Sequence, residues 1–170
     1  DLKILNFGST LLFLEKGIKF QNDKVNKTLT FTQVDPGAKA FFKGGNLENL
    51  NIVFNGSNTI KESNKFDLKS FPKNFPINNR GLTGCLSFIN MNVKSLDIKS
   101  INSTCEDSVN FINVSGSINN LIIDNSLSDG LDVDFSNLEF NSININSAKN
   151  DCADFSSGKY QLETLKLKFC

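Results

Sequence analysis

The stretch "LDVDFSNLEFNSININ", residues 131–146, decides the fold of this chain. It alternates apolar and polar residues in two short runs, with Ser136 and Asn137 between them. Twenty-two residues later "ADFSSGKYQLETLKLK", residues 153–168, repeats the pattern. Leu131, Val133, Phe140, Ile143 and Ile145 are answered by Ala153, Phe155, Leu162, Leu165 and Leu167. One step upstream the same slots hold Val109, Phe111, Ile118, Leu121 and Ile123. Period-two alternation marks strands with one buried face. A unit this small cannot bury its own apolar face, but stacked copies can.

A step of 22 residues suits one coil of a parallel β-helix. The fold expected is all-β: a right-handed, single-stranded parallel β-helix, the hand taken from the general preference of parallel crossovers. Neighbouring strands then lie roughly 4.8 Å apart and equivalent side chains form ladders. The alternative is a leucine-rich-repeat-like solenoid, because "LETLKL" fits half of that pattern. Against it, the other half of each unit alternates like a strand and offers no helical face.

Two earlier segments fit the template less regularly. Val93, Leu96 and Ile98 match Ile118, Leu121 and Ile123 at an offset of 25 residues, and Leu47, Leu50 and Ile52 match again. Ile52 precedes Ile98 by 46 residues, which reads as about two coils, with "SFPKNFPINNRG" as a loop. The expected organisation is one domain over 1–170. Residues 1–46 form an N-terminal cap or irregular first coils, 47–80 an early coil plus loop, and 81–170 the regular coils. Asp1 in place of Met, and a strand-like run ending at Cys170, suggest a piece of a longer chain. An open last strand would then meet further coils beyond Cys170, or pair end to end with another copy.

Composition points the same way. Helix formers are thin, while Asn (25), Phe (16), Ile, Val, Ser and Gly are plentiful. Part of the Asn bias fits an AT-rich genome. Net charge is zero, which excludes the basic signature of a nucleic-acid binder. No run approaches the ~20 apolar residues of a membrane span. The absence of His excludes Ser-His-Asp and Cys-His catalysis and His-based metal sites. No phosphate-binding loop is present; "KGGN" at 43–46 is a turn.

The candidate functional residues are aspartates. Asp107, Asp129 and Asp151 fall in register at a corner, and Asn110, Asp132 and Asp154 fall in register on a strand face. The simplest role for the corner set is bonding to turn backbone. Stacked carboxylates at ~4.8 Å repel by roughly 0.9 kcal/mol even in water, so Asp107, Asp129, Asp132, Asp151 and Asp154 are also ligand or cation candidates. Calcium is the fitting ion, at Asp129 and Asp151. A third reading makes Asp132, Asp134 and Asp154 catalytic carboxylates of a glycoside hydrolase or lyase. Against it stand the absence of Trp and the presence of one Tyr, Tyr160, and one arginine, Arg80.

The repeat frame also pairs the cysteines. Cys85 takes the slot of Ser108, Gly130 and Cys152, while Cys105 and Cys170 lie at the entry corner of the following coil. That register favours Cys85–Cys105 and Cys152–Cys170 disulfides over free buried thiols. A four-cysteine zinc site is disfavoured because no C-x-x-C pair exists. Disulfides imply an extracytoplasmic location: secreted, periplasmic or cell surface. Sequons at Asn26, Asn55, Asn102 and Asn113 are expected by chance in so Asn-rich a chain.

At "CEDSVNF", "SDGLDVDFS" and "NDCADFSSG" the chain resembles bacterial right-handed β-helix repeat proteins of the broad pectate-lyase-like superfamily. The resemblance covers roughly residues 81–170. It implies a secreted or surface-attached protein that contacts polysaccharide. The catalytic motifs of that superfamily are not visible in this chain. The function expected is a structural or binding module for carbohydrate, with a polysaccharide-active enzyme as the alternative.

Overall fold

The computed structural model describes residues 2–57 and 80–170. Those residues form β-strands joined by turns, with no helix. Thirteen strands run in chain order: β1 (Leu2–Phe7), β2 (Thr10–Glu15), β3 (Ile18–Asp23), β4 (Thr28–Gln33), β5 (Ala40–Lys43), β6 (Asn46–Glu48), β7 (Asn51–Asn55), β8 (Gly84–Ile101), β9 (Asp107–Ser126), β10 (Asp129–Asp134), β11 (Asn137–Ala148), β12 (Ala153–Ser156) and β13 (Lys159–Lys168). They build a parallel β-solenoid of about five turns. The leucine-rich-repeat alternative falls, because strands occupy the half of each unit where that architecture needs a helix or its equivalent.

The expected columns form. Val109, Leu131 and Ala153 stack, as do Phe111, Val133 and Phe155. On a second face Leu121, Ile143 and Leu165 lie in one column, as do Ile123, Ile145 and Leu167. Each coil has three faces. The first runs through β5, the start of β8 and β9, β10 and β12. The second is a strip of short pairings through β6, Asn92–Lys94, Ser115–Ser117, Asn137–Glu139 and Lys159–Gln161. The third runs through β7 and the later parts of β8, β9, β11 and β13.

Two register expectations need correction. Leu96 lies over Ile118 and Ile98 over Leu121, not one template slot further along. A bulge between Val93 and Leu96, with Ser95 at φ 53°, shifts the phase, so the coil length stays at 22–23 residues. Ile52 pairs directly with Ile98. Ile52 and Ile98 therefore lie one turn apart in the stack, not two. The loop assigned to "SFPKNFPINNRG" lies outside the described residues except for Arg80 and Gly81.

The first strands depart from the coil. β1 and β2 form an antiparallel hairpin, and β2 runs antiparallel to β5. β3 and β4 form a second hairpin, with β4 parallel to β7. Hairpins cover the first coil while presenting different edges outward. Phe31, Phe42, Phe88 and Phe111 then continue an aromatic series down the core, with Phe88 stacked on Phe42 at 5.4 Å and on Phe111 at 4.9 Å.

The asparagines have a structural cause beyond codon bias. Asn90, Asn113, Phe135 and Ser157 mark one corner of successive coils, each with φ between 43° and 52°. Asn102, Asn125, Ser147 and Phe169 mark another, with φ between 54° and 79°. Asn is the side-chain-bearing residue that best tolerates this left-handed region. The amides also bond between coils: Asn113 donates to Asn90 at 2.9 Å, and Asn125 donates to Asn102 at 2.7 Å. Asn113 thus donates through the nitrogen that a glycan would occupy. Among the described residues, no helix is long and apolar enough to cross a membrane.

Both disulfides form as the register requires. Cys85–Cys105 and Cys152–Cys170 each span 5.3 Å between Cα atoms, inside the range a disulfide needs. The first is fully buried, and its sulfurs accept weak hydrogen bonds from Gln33 Nε2.

Candidate functional site

The aspartates gather on the first face and the corner that opens it. Alternation on β9 sends Val109 and Phe111 to the core and Asn110 to the other side, yet Asn110 is only 2% exposed. Its register partners are Ser87 above and Asp132 below, with Asp154 beyond. Asn110 Nδ2 faces three acceptors: Asp132 Oδ2 at 2.9 Å, Asp107 Oδ2 at 3.2 Å and Thr83 Oγ1 at 3.2 Å. An amide nitrogen carries two hydrogens, so the three acceptors compete. Asn110 Oδ1 is buried without a partner.

The carboxylates around this amide are pushed toward the protonated form. Burial raises Asp132 to about 7, helped by Asp107, Asp134, Asp154 and Glu106. Burial also raises Asp107, against the lowering effect of hydrogen bonds from Thr83 and Asn110. Glu106 rises through burial and the nearby charges of Asp107 and Asp129. Lys39 sits close by with its side chain buried; Nζ donates to Gly37 O at 3.2 Å. Burial lowers Lys39, while Glu15, Asp107 and Glu106 oppose that shift. The one arginine, Arg80, pairs with Glu15 at 3.5 Å rather than with an aspartate of the ladder.

The corner aspartates divide. Asp107 and Asp129 are register partners, and one carboxylate oxygen from each lies within 4.8 Å of the other and of a Glu106 oxygen. Asp129 Oδ1 also accepts the backbone N–H of Asp151 at 3.0 Å and the amide of Asn150 at 2.7 Å. That is a bond between coils to turn backbone, the structural role expected of this set. Asp151 is exposed and stands outside the acidic group with Asp107 and Glu106. Asp134 accepts Ser156 Oγ at 2.6 Å, and Asp154 lies exposed beneath Asp132. Glu106 carries no repeat signature: its slot holds Ser128 and Asn150 in later coils, so periodicity passes over it.

A second feature lies away from the aspartates. The narrow second face forms an open groove of about 850 Å³ crossing five successive coils. Asn46, Asn92, Ser115, Asn137 and Lys159 make one polar column along it, in unbroken register. Glu48, Lys94, Ser117, Glu139 and Gln161 line the other side. Gly116 lies between Val93 and Leu138 in the stack with φ 126°, and a Cβ there would meet the Val93 carbonyl. None of these columns stood out in the sequence, because mixed Asn, Ser, Lys and Glu residues carry no repeated motif.

Fold and surface define the class as a disulfide-linked parallel β-solenoid. No family model matches the chain, and neither a curated protein nor a solved structure matches it.

Proposed function

We propose that this protein is an extracytoplasmic β-solenoid binding module whose second face takes an extended, uncharged polysaccharide. The observation that carries this reading is the groove across five coils. At roughly 4.8 Å per coil, it offers polar groups at regular intervals to a linear ligand. Its charges balance: Glu48 and Glu139 against Lys94 and Lys159. A polyanion gains little from such a surface, whereas hydroxyl groups find both donors and acceptors. The two disulfides favour an oxidising compartment. A glycan array with neutral and acidic members tests the assignment. Binding to neutral glycans, weakened at least tenfold by Asn92→Ala with Asn137→Ala, supports it. No glycan bound, or binding indifferent to those changes, overturns it.

A second reading rests on Asp132, whose pKa of about 7 suits a general acid. Asp134 and Asp154 are its neighbours on the same face. Reducing-sugar release that disappears in Asp132→Asn and Asp154→Asn would favour a polysaccharide-active enzyme over the module.

A further inference from the structure

We propose that Phe135 is the stacking platform for a sugar ring of the chain held in the groove, an assignment that rests on the polysaccharide reading of the second face. Phe135 occupies the corner between the first and second faces, two residues before Asn137 of the groove's polar column. Its side chain lies outside the core, and the residue is 64% exposed. Single exposed apolar residues are common and need no cause. Phe135 differs because its φ is 52°. A bulky side chain is a rare occupant of the left-handed region, whose cost Gly and Asn largely avoid. Asp134 pairs with Ile112 and Asn137 with Ser115, so Phe135 follows Asn113 by one coil. Asn113 and Asn90 suit that backbone and bond to each other across the coils at 2.9 Å. Phe at this slot gives up the tolerant backbone, the amide ladder and the burial of its own ring together. Strain kept at an exposed position points to function.

A pyranose ring has two kinds of surface. Hydroxyls surround its edge, while its C–H groups make a face apolar. The groove's columns answer the edge, because amides, hydroxyls and balanced charges both donate and accept. Those columns offer no apolar plane for a face. Phe135 supplies one beside the polar column, the combination of an apolar surface with a few placed polar groups that ligand sites share. The chain has no Trp and one Tyr, so few other rings can serve. Tyr160 lies at the groove, but its hydroxyl faces Val133 O at 3.1 Å and Ser156 O at 2.8 Å, and its ring packs on Phe155 at 5.1 Å. Phe169 shares the left-handed backbone and is 78% exposed, yet it marks the corner after the third face, away from the groove.

The test titrates the full chain with neutral linear hexasaccharides of glucose, xylose, mannose and galactose, followed by calorimetry. Phe135→Asn is expected to weaken binding at least tenfold. It is expected to melt no lower than wild type, because Asn suits the backbone and can join the Asn113–Asn90 ladder. Phe135→Tyr keeps the plane and is expected to bind with nearly wild-type affinity. Phe135→Trp carries the chain's only indole, whose emission is expected to change as the hexasaccharide saturates the protein. Unchanged emission at saturation overturns the proposal. A lower melting temperature alongside lost binding in Phe135→Asn gives the ring a structural role and also overturns it. Binding that Asn92→Ala with Asn137→Ala weakens, but Phe135→Asn leaves intact, removes the platform and spares the groove. Binding that Phe135→Asn weakens, but the paired Asn variant leaves intact, keeps the platform and removes the groove. A wild-type chain that takes up none of the hexasaccharides overturns both.

Discussion

Asn110 Nδ2 stands 2.9 Å from Asp132 Oδ2, one coil along the stack, and places a neutral donor where a carboxylate would otherwise face a carboxylate. The next pair down the column, Asp132 over Asp154, has no such separator. This difference makes the ladder sensitive to pH. Asp132 has a folded pKa of about 7 against an ordinary value near 3.8. The folded state therefore holds a proton that the unfolded chain releases earlier, and stability falls as pH rises from about 4 to 7. Burial raises Asp107 and Glu106 in the same direction. The protein should melt higher at pH 4.5 than at pH 7.5. Asp132→Asn should flatten that profile, and an unchanged slope would refute the assignment.

Replacing the separator should have the opposite effect. Asn110→Asp puts a third acid between Asp107 and Asp132 and removes their shared donor. The variant should lose stability at pH 7.5, by about 1–3 kcal/mol, and less at pH 4.5, where Asp132 holds its proton. Urea unfolding at the two pH values measures the difference.

The aromatic series predicts a core cost. Phe111 is fully buried and contacts the rings of Phe88 and Phe140. Phe111→Ala should destabilise by about 3–5 kcal/mol, with the urea midpoint as the measure. Phe111→Leu, which keeps more of the volume, should cost clearly less.

The corner at Asn125 predicts a backbone effect. Its φ is 56°, and its amide donates to Asn102. Asn125→Val should cost about 1–2 kcal/mol from the left-handed backbone, plus the lost bond. Asn125→Gly relieves the backbone and loses only the bond, so it should be the milder variant in thermal unfolding. The reverse order would show that the amide ladder matters more than the turn.

The last coil predicts self-association. Leu165, Leu167 and Phe169 are 46%, 44% and 78% exposed, and β13 pairs only with β11 among the described strands. Unpaired strand edges invite another strand. Light scattering should show concentration-dependent growth that Leu165→Lys with Leu167→Glu suppresses. A strict monomer across the range would refute it.

How much of this was legible depends on what each residue's neighbours are. Leu121, Ile143 and Leu165 were readable as a column because each stacks on the same slot one coil away, and that slot recurs in sequence. The cysteine pairs were readable for the same reason. The bulge at Ser95 was not: L-x-x-L-x-L matches in more than one phase, and only pairing selects among them. The direct pairing of Ile52 with Ile98 was hidden because a separation of 46 residues does not say which strands are neighbours.

Among the acidic residues, Asp107 and Asp129 announced themselves by period, while Glu106 joins them only where the chain turns a corner. Sequence alone determined the stacking direction of equivalents, because hydrophobic period and coil length are local properties summed along the chain. Tertiary structure decided which polar atoms are buried, which amide lacks a partner and where a groove opens. Those depend on what packs over a residue from elsewhere, and no repeat encodes that.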